Sequence, residues 1–258
     1  MASSFYMPRA PLDAFVNFFW IHEGYAAPHQ REQVMPAPTL DVVFTLDSGG
    51  QAFSGVSGAR SKAFLLDTSL PFSAIGIHFR PGGGFPFFGI PAGELHNETV
   101  SLDTLWHTFA ATISDQLWEA RTAEARFVIL ERALLARAGG RFDRHPAVTR
   151  AIALFDRSHG ALSVGHVVRR TGVSHRRLVE LFWNEVGLSP KRYCRVRRFN
   201  DVLRRIEPLG DVDWTDVAHV CGYFDQAHFN HDFRAFAGLN PSEYLRHRVA
   251  RNHVAVPE

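Results

Sequence analysis

The sequence contains few cysteines and no long apolar segment. Cys194 and Cys221 are the only two cysteines among 258 residues, and both fall in stretches with helical spacing. Two such cysteines exclude a disulfide framework and suit a reducing compartment. No run of about 18 apolar residues occurs, and the first residues lack a basic segment followed by an apolar one. We therefore expect a cytoplasmic protein without membrane contact.

The spacings that indicate nucleotide or metal chemistry are also missing. The glycine turn "RPGGGF" after Arg80 is followed by no Lys-Ser or Lys-Thr pair, so it fits neither a phosphate loop nor a dinucleotide loop. His78, beside this turn, has no partner cluster with metal-ligand spacing. His228 and His231 stand three residues apart near two aspartates, which keeps a zinc enzyme or metal sensor open as an alternative. We expect no enzymatic activity, no cofactor and no metal.

Charge is distributed unevenly along the chain. Residues 1–140 carry nine basic and thirteen acidic side chains, whereas residues 141–258 carry nineteen and thirteen. Gly139 and Gly140 end a helical stretch between these halves. Two domains, 1–140 and 141–258, are therefore expected, and the basic half presents either a face for a polyanion or an ordinary solvated surface.

The first half has the pattern of short strands. "LDVVFTLDSGG" ends in a turn at Asp47–Gly50, "SAIGIHFRPGGGF" alternates apolar with small or polar residues, and residues 104–138 have helical apolar spacing without glycine or proline. This half is rich in phenylalanine, and most of these rings are expected in the core. A small-molecule pocket is the alternative, with the turn after Arg80 as its rim and Trp20, His78 and Arg80 as candidate lining residues.

The second half contains a repeat. "TGVSHRRLVELFWNEVGLSPKRYCR" at 171–195 and "CGYFDQAHFNHDFRAFAGLNPSEYLR" at 221–246 match at an offset of 51 residues through most of their length. Each copy predicts a short helix, a glycine turn, a second helix and a Gly-Leu-Ser/Asn-Pro corner that starts another helix. The helical spacing places Leu178, Leu181, Phe182, Phe229 and Phe233 inward.

The outer face of each second helix carries side chains that can recognise bases. Arginine pairs with guanine, glutamine and asparagine with adenine, and small apolar groups with the thymine methyl. Two solvated helix faces remain the alternative explanation. The outward residues are Arg176, Val179, Glu180 and Trp183 in the first copy and Gln226, Ala227, Asn230 and His231 in the second.

With these motifs, residues 146–248 resemble the DNA-binding domain of the AraC/XylS family of bacterial transcription regulators. The resemblance implies seven helices in two helix-turn-helix units, joined by a linker helix at about Pro190–Arg205. It also implies that the helices near 175–185 and 225–236 enter successive major grooves. Members commonly carry arginine where this chain has Glu180 and His231, so operator sequences cannot be transferred from relatives.

The first half is similar to the sensor domain of one AraC-like subfamily. The similarity lies in "FVNFFW", "MPAPTLDVVF", "IHFRPGGGFPFFGIPAGEL" and "VSLDTLW". It implies a β-rich, cupin-like domain with trailing helices, in which effector binding and dimerisation take place.

Together these observations predict an α+β protein with a β-rich domain at 1–140 and an all-α domain at 141–258, whose core is 146–248. We expect a sequence-specific regulator of transcription that binds double-stranded DNA, responds to a small-molecule effector, has RNA polymerase as a further candidate partner, and is a monomer or homodimer. The alternative is a small-molecule or metal-binding protein whose helices serve a protein partner. The expected base-reading residues are Arg176, Val179, Glu180, Gln226, Ala227, Asn230 and His231, and the expected phosphate contacts are Arg169, Arg170, Lys191, Arg192, Arg195, Arg197 and Arg198.

Overall fold

The computed structural model describes residues 2–46, 53–160, 162–206, 212–250 and 252–256. The turn expected at Asp47–Gly50 lies outside these ranges. The strands are β1 (Ala2–Tyr6), β2 (Val16–Tyr25), β3 (Arg31–Val34), β4 (Asp41–Thr45), β5 (Ser54–Ser57), β6 (Phe64–Asp67), β7 (Phe72–Phe79), β8 (Thr99–Ser101), β9 (Arg248–Ala250) and β10 (His253–Ala255). The helices are α1 (Phe85–Phe88), α2 (Asp103–Trp106), α3 (Thr108–Glu119), α4 (Ala123–Ala138), α5 (Pro146–Arg157), α6 (Val164–Thr171), α7 (His175–Val186), α8 (Pro190–Ile206), α9 (Trp214–Val220), α10 (Gln226–Ala237) and α11 (Pro241–His247).

The first half is built on a six-stranded antiparallel sheet in the order β1-β2-β7-β4-β5-β8. Alternate residues of β2 and β7, among them Phe19, Ile75 and Phe79, point into a core that α1–α4 cover. Trp106 is buried in this core, and its indole N–H donates to the Phe87 carbonyl at 3.0 Å. Fewer of the aromatic residues of this half lie in the core than expected, since eight are buried and Phe5, Phe53 and Trp118 are exposed.

The helical stretch at the end of this half is divided into three helices. Residue His107 separates α2 from α3 with a φ of 52°, and the chain is extended at Ala120 before α4 starts. Thr122 caps α4, since its side chain accepts from the Ala125 N–H at 3.2 Å. The sequence did not reveal these breaks, because apolar residues that pack against the core continue at helical spacing through all three helices.

The second half begins with the seven helices that the family resemblance implied, α5 to α11, counted over the residues described. Their shared core contains the inward positions of both repeat copies. Phe233 is fully buried and contacts the rings of Phe199, Phe229 and Tyr244 edge-on, with centroids 5.1–5.7 Å apart. None of the helices in the described residues has the length and apolarity needed to cross a membrane.

The end of the chain departs from the all-α expectation. After α11, strands β9 and β10 join β3 and β6 in a second sheet of order β6-β3-β10-β9. Residues from the two ends of the sequence are therefore neighbours, as when His253 lies opposite Val34. The helical half and the β-rich half share a sheet in addition to their separate cores.

A buried carboxylate lies at this shared sheet. Glu32 of β3 is fully buried, and its oxygens receive hydrogen bonds from the Tyr25 hydroxyl, from His29 at 2.7 Å and from His253 of β10 at 2.6 Å. Burial alone raises the pKa of Glu32, but hydrogen bonds from His253, Tyr25 and His29 lower it to about 2. Glu32 thus connects the β-rich half to the last strand.

Candidate nucleic-acid interface

The two repeat copies form the same local structure. In the first, the Ser174 hydroxyl accepts from the Arg177 N–H at 3.2 Å and starts α7, and in the second the Asp225 carboxylate accepts from the His228 N–H at 2.7 Å and starts α10. Gly187 and Gly238 end these helices with positive φ of 83° and 71°. Because side-chain caps and left-handed glycines define helix ends, the 51-residue repeat is also a repeat of structure.

Helix α8 connects the two copies. Its 17 residues span about 26 Å at 1.5 Å per residue. Arg195 of α8 binds the buried carboxylate of Asp232 on α10 with two hydrogen bonds, of 2.7 and 3.3 Å. This ion pair raises the pKa of Arg195 and fixes α10 against α8.

The second copy exposes its outer face. Gln226, Ala227, Asn230 and His231 of α10 are all exposed, as the helical spacing predicted. Gln226, Asn230 and His231 line a groove of about 770 Å³ that continues to the start of α11. The groove is open and its walls carry amide and imidazole groups, which donate and accept hydrogen bonds at base edges.

The first copy exposes the outer face of α7 most fully in its first half. Arg176 and Glu180 are exposed and Val179 is half-buried. Arg177 donates to the Glu180 carboxylate at 3.0 Å, which offsets the negative charge that Glu180 places on this face. The first turns of α7 and of α10 are therefore both accessible.

Trp183, in the second half of α7, contacts the β-rich half. Its ring lies over Gly93, where an added Cβ would be 2.1 Å from the indole Cε2, and it meets His96 edge-on at 6.3 Å. An added Cβ at Gly187 would lie 2.9 Å from the carbonyl oxygen of Ala92, which is in the same 3₁₀ turn as Gly93. Trp183 was expected on the outer face with Arg176; its side chain is exposed there and in addition contacts the β-rich half.

Known families match both halves of the chain. A family described as a helix-turn-helix domain matches residues 167–247, the span of both repeat copies and α8. Residues 167–247 are a helix-turn-helix domain of the AraC type. A second family, described as a domain of unknown function (DUF6597), matches residues 4–101.

Curated relatives of the AraC-type domain are named as regulators. The HTH-type transcriptional activator RhaS of Pectobacterium carotovorum is 31% identical over 85 residues, which are 33% of this chain and 30% of that protein. The probable thc operon regulatory protein of Rhodococcus erythropolis is 29% identical over 106 residues, 39% of this chain and 32% of that protein. The matches thus span about a third of the length of these relatives.

Solved structures also align with this chain. A transcriptional regulator with an AraC-type DNA-binding domain from Chromobacterium violaceum aligns with 25% identity and a TM-score of 0.37, over 40% of this chain and 93% of that one. Unsaturated fatty acid bound ToxT from Vibrio cholerae aligns with 8% identity and a TM-score of 0.47, over 88% of this chain and 94% of that one.

The seven expected phosphate contacts fall into two groups in the AraC-type domain. Arg169, Arg170, Lys191 and Arg192 are exposed. The other three have partners within the protein: Arg195 binds Asp232, Arg197 binds Asp156 and Asp201, and Arg198 donates to the Gly222 carbonyl. The exposed group can reach DNA without giving up an internal ion pair.

The residues expected around an effector pocket are only partly together. His78 and Arg80 line a cavity of about 470 Å³ between the β-rich half and the AraC-type domain, whereas Trp20 is not among the residues that line it. His78 forms a 2.6 Å hydrogen bond with Asp41, and Arg80 donates to the Asp13 carbonyl at 2.8 Å. The cavity thus lies at the boundary between the halves, where sequence patterns carried no signal.

The two cysteines are buried, and the two histidines considered as metal ligands lie beside an aspartate that is already paired. Burial raises the pKa of Cys194 to about 12 and that of Cys221 as well, so both thiols stay protonated. His228 and His231 each lie 3.7 Å from the Asp232 carboxylate that Arg195 occupies. Over the described part of the chain, no three His, Cys, Asp or Glu residues are grouped as metal ligands.

Proposed function

We propose that this protein is a sequence-specific DNA-binding regulator of transcription, without enzymatic activity, that acts in the bacterial cytoplasm and responds to a small molecule. The observation that carries the proposal is the pair of exposed recognition faces, on α7 and α10, held apart by α8. Regulation of promoters also makes RNA polymerase a candidate partner.

The faces differ in chemistry, so the two helices should read different bases. The α7 face offers one guanidinium, Arg176, beside the partly neutralised Glu180. The α10 face offers two amides, Gln226 and Asn230. Arginine favours guanine and the amides favour adenine. A monomer would therefore recognise two unlike segments, separated by about one helical turn of some 34 Å.

Affinity without sequence preference would come from the exposed cations. Arg169 and Arg170 lie at the end of α6, and Lys191 and Arg192 lie at the start of α8. Contacts to phosphate supply electrostatic affinity and fix the orientation of the protein on the duplex, but they do not read the sequence.

Selection of bound sites from random duplex DNA, with the full chain at fixed salt, tests the proposal. The bound pool should contain two conserved segments about one turn apart. Arg176→Ala should relax the preference in one segment and Asn230→Ala in the other, each at a cost of about 1–3 kcal/mol. Arg132→Ala, at an exposed arginine of α4, is the matched control and should leave both segments unchanged. Absence of any sequence preference would reject the proposal, and loss at the same positions in both variants would reject the two-segment arrangement.

A further inference from the structure

The cavity between the two halves has walls from several parts of the chain. Among them, the turn after β7 contributes Arg80, the connection before α5 contributes Arg144, and α8 contributes Asn200. Its volume of about 470 Å³ is in the range of small-molecule sites. None of the expected base-reading residues lines it, and Arg197, the one expected phosphate contact among its lining residues, is paired with Asp156 and Asp201.

The walls carry more positive than negative charge. Four arginines and one aspartate line the cavity: Arg80, Arg144, Arg197, Arg204 and Asp156. Arg197 binds Asp156 at 2.9 Å and Asp201 at 3.1 Å, and Arg204 also binds Asp201. In the ranges that the structure describes, Arg80 and Arg144 have no carboxylate within 4 Å of their guanidinium groups.

Arg144 has buried hydrogen-bond donors that no acceptor in the described ranges satisfies. Its Nε and Nη2 atoms are buried, and no hydrogen-bond acceptor among the described residues reaches them. The hydroxyl of Thr39, on the same cavity, is buried and unpaired as well. Burying a hydrogen-bond donor without a partner costs free energy, and the cost is larger for a charged guanidinium than for a neutral group.

The two arginines also repel each other. Burial lowers the pKa of Arg144, the charge of Glu185 opposes this decrease, and the charge of Arg80 lowers the pKa further. Arg80 is exposed and fixed by a single hydrogen bond to the Asp13 carbonyl. Two arginines that line one cavity, with no carboxylate of the described residues within 4 Å of either guanidinium group, form a site for an anion, since carboxylates and phosphates accept paired N–H donors.

We propose that this cavity binds a small organic anion, whose carboxylate or phosphate group is held by Arg80 and Arg144. The polar side chains of Asn17, Thr39 and Asn200 line the same space and would hold the rest of the molecule. A compact metabolite fits a cavity of this volume better than a long chain does.

Binding would connect the two halves of the protein. Arg80 belongs to the β-rich half, whereas Asn200 belongs to α8, the helix that joins the two helix-turn-helix units. An anion bound to both sides stabilises the arrangement in which α8 lies against the β-rich half. An effect on DNA affinity rests on the proposed function, but anion binding itself does not and is measured without DNA.

The test uses the full chain with citrate as the carboxylate probe and glucose 6-phosphate as the phosphate probe, at an ionic strength kept constant with NaCl. At least one probe should raise the unfolding temperature and bind saturably in calorimetry. A response to citrate alone assigns a carboxylate ligand, and a response to glucose 6-phosphate alone assigns a phosphate ligand. No response to either probe beyond that to NaCl would overturn the proposal.

Arg80→Gln is the decisive variant, because Arg80 is exposed and its replacement leaves the core intact. It should weaken binding of the responding probe by about tenfold or more, the expected effect of losing one charged hydrogen-bond donor. Arg132→Gln, an exposed arginine outside the cavity, should bind as the parent does. Equal binding by the parent and Arg80→Gln would refute the site. Displacement of the probe by duplex DNA, together with weaker DNA binding by Arg80→Gln, would show that the arginines contact DNA phosphate and would refute it too.

Discussion

Replacing Gly93 by alanine should disturb the contact between the first recognition helix and the β-rich half. The added methyl would lie 2.1 and 2.3 Å from two ring carbons of Trp183, much closer than van der Waals contact. Either the backbone shifts or the ring, now 43% exposed, leaves the surface it covers. Overpacking of this kind costs about 1–3 kcal/mol. At about 2–4 °C per kcal/mol for a chain near this size, the unfolding temperature should fall by about 2–12 °C.

Thermal and urea unfolding of Gly93→Ala, Gly165→Ala, Trp183→Leu and the double variant of Gly93 and Trp183 would measure this effect. Gly165→Ala is the matched control, because Gly165 lies inside α6 and the nearest atom to an added Cβ is 4.0 Å away, so alanine there should stabilise by about 0.5–1 kcal/mol. In a Trp183→Leu background, Gly93→Ala should cost less than in the parent, because the ring that it meets is gone. Equal stability of Gly93→Ala and the parent, or the same cost in both backgrounds, would refute the reasoning about this contact.

Three further variants address the buried acid and the basic helix. The pKa of Glu32 is lowered to about 2 in the folded protein, so its contribution to stability is complete above the unfolded pKa of about 4.3 and is lost as the pH falls towards 2. The difference in urea stability between the parent and Glu32→Gln should therefore become smaller over that pH range. A constant difference would contradict this reasoning. Lys191→Ala should make the salt dependence of DNA binding shallower by about 0.9 in log–log slope while leaving the unfolding temperature unchanged. Arg195→Ala should instead lower the stability by up to about 3 kcal/mol, because Asp232 would be left buried without its partner; an unchanged unfolding temperature would exclude that structural role.

The sequence predicted those parts of the fold that depend on neighbouring residues. The starts of α7 and α10 follow from Ser174 and Asp225, and their buried faces follow from apolar residues three and four apart. The linker helix expected at about Pro190–Arg205 is confirmed as Pro190–Ile206. Caps and periodicity act within a few residues, so they can be recognised without knowledge of the rest of the chain.

The contacts between the halves could not be predicted in this way. Strands β9 and β10 have three residues each, too few for an alternating pattern, and β10 pairs with a strand about 220 positions earlier. Glutamate is usually a surface residue, and the burial of Glu32 depends in part on His253, a partner 221 positions away. Trp183 has the spacing of an outward residue, and only the absence of a side chain at Gly93 gives its ring a place. These features depend on tertiary packing, for which local propensity contains no information.

The shared sheet has a consequence for how the protein is synthesised and dissected. Strand β3 emerges early from the ribosome, yet the strand beside it, β10, becomes available only after some 220 further residues. Until then β3 has one neighbour, β6, and an unpaired edge that can associate with other nascent chains. A fragment of residues 1–140 would keep that edge permanently and would leave Glu32 without His253. Ligand screens on such a fragment would therefore sample a different protein surface, and the cavity with Arg144 would be absent from it.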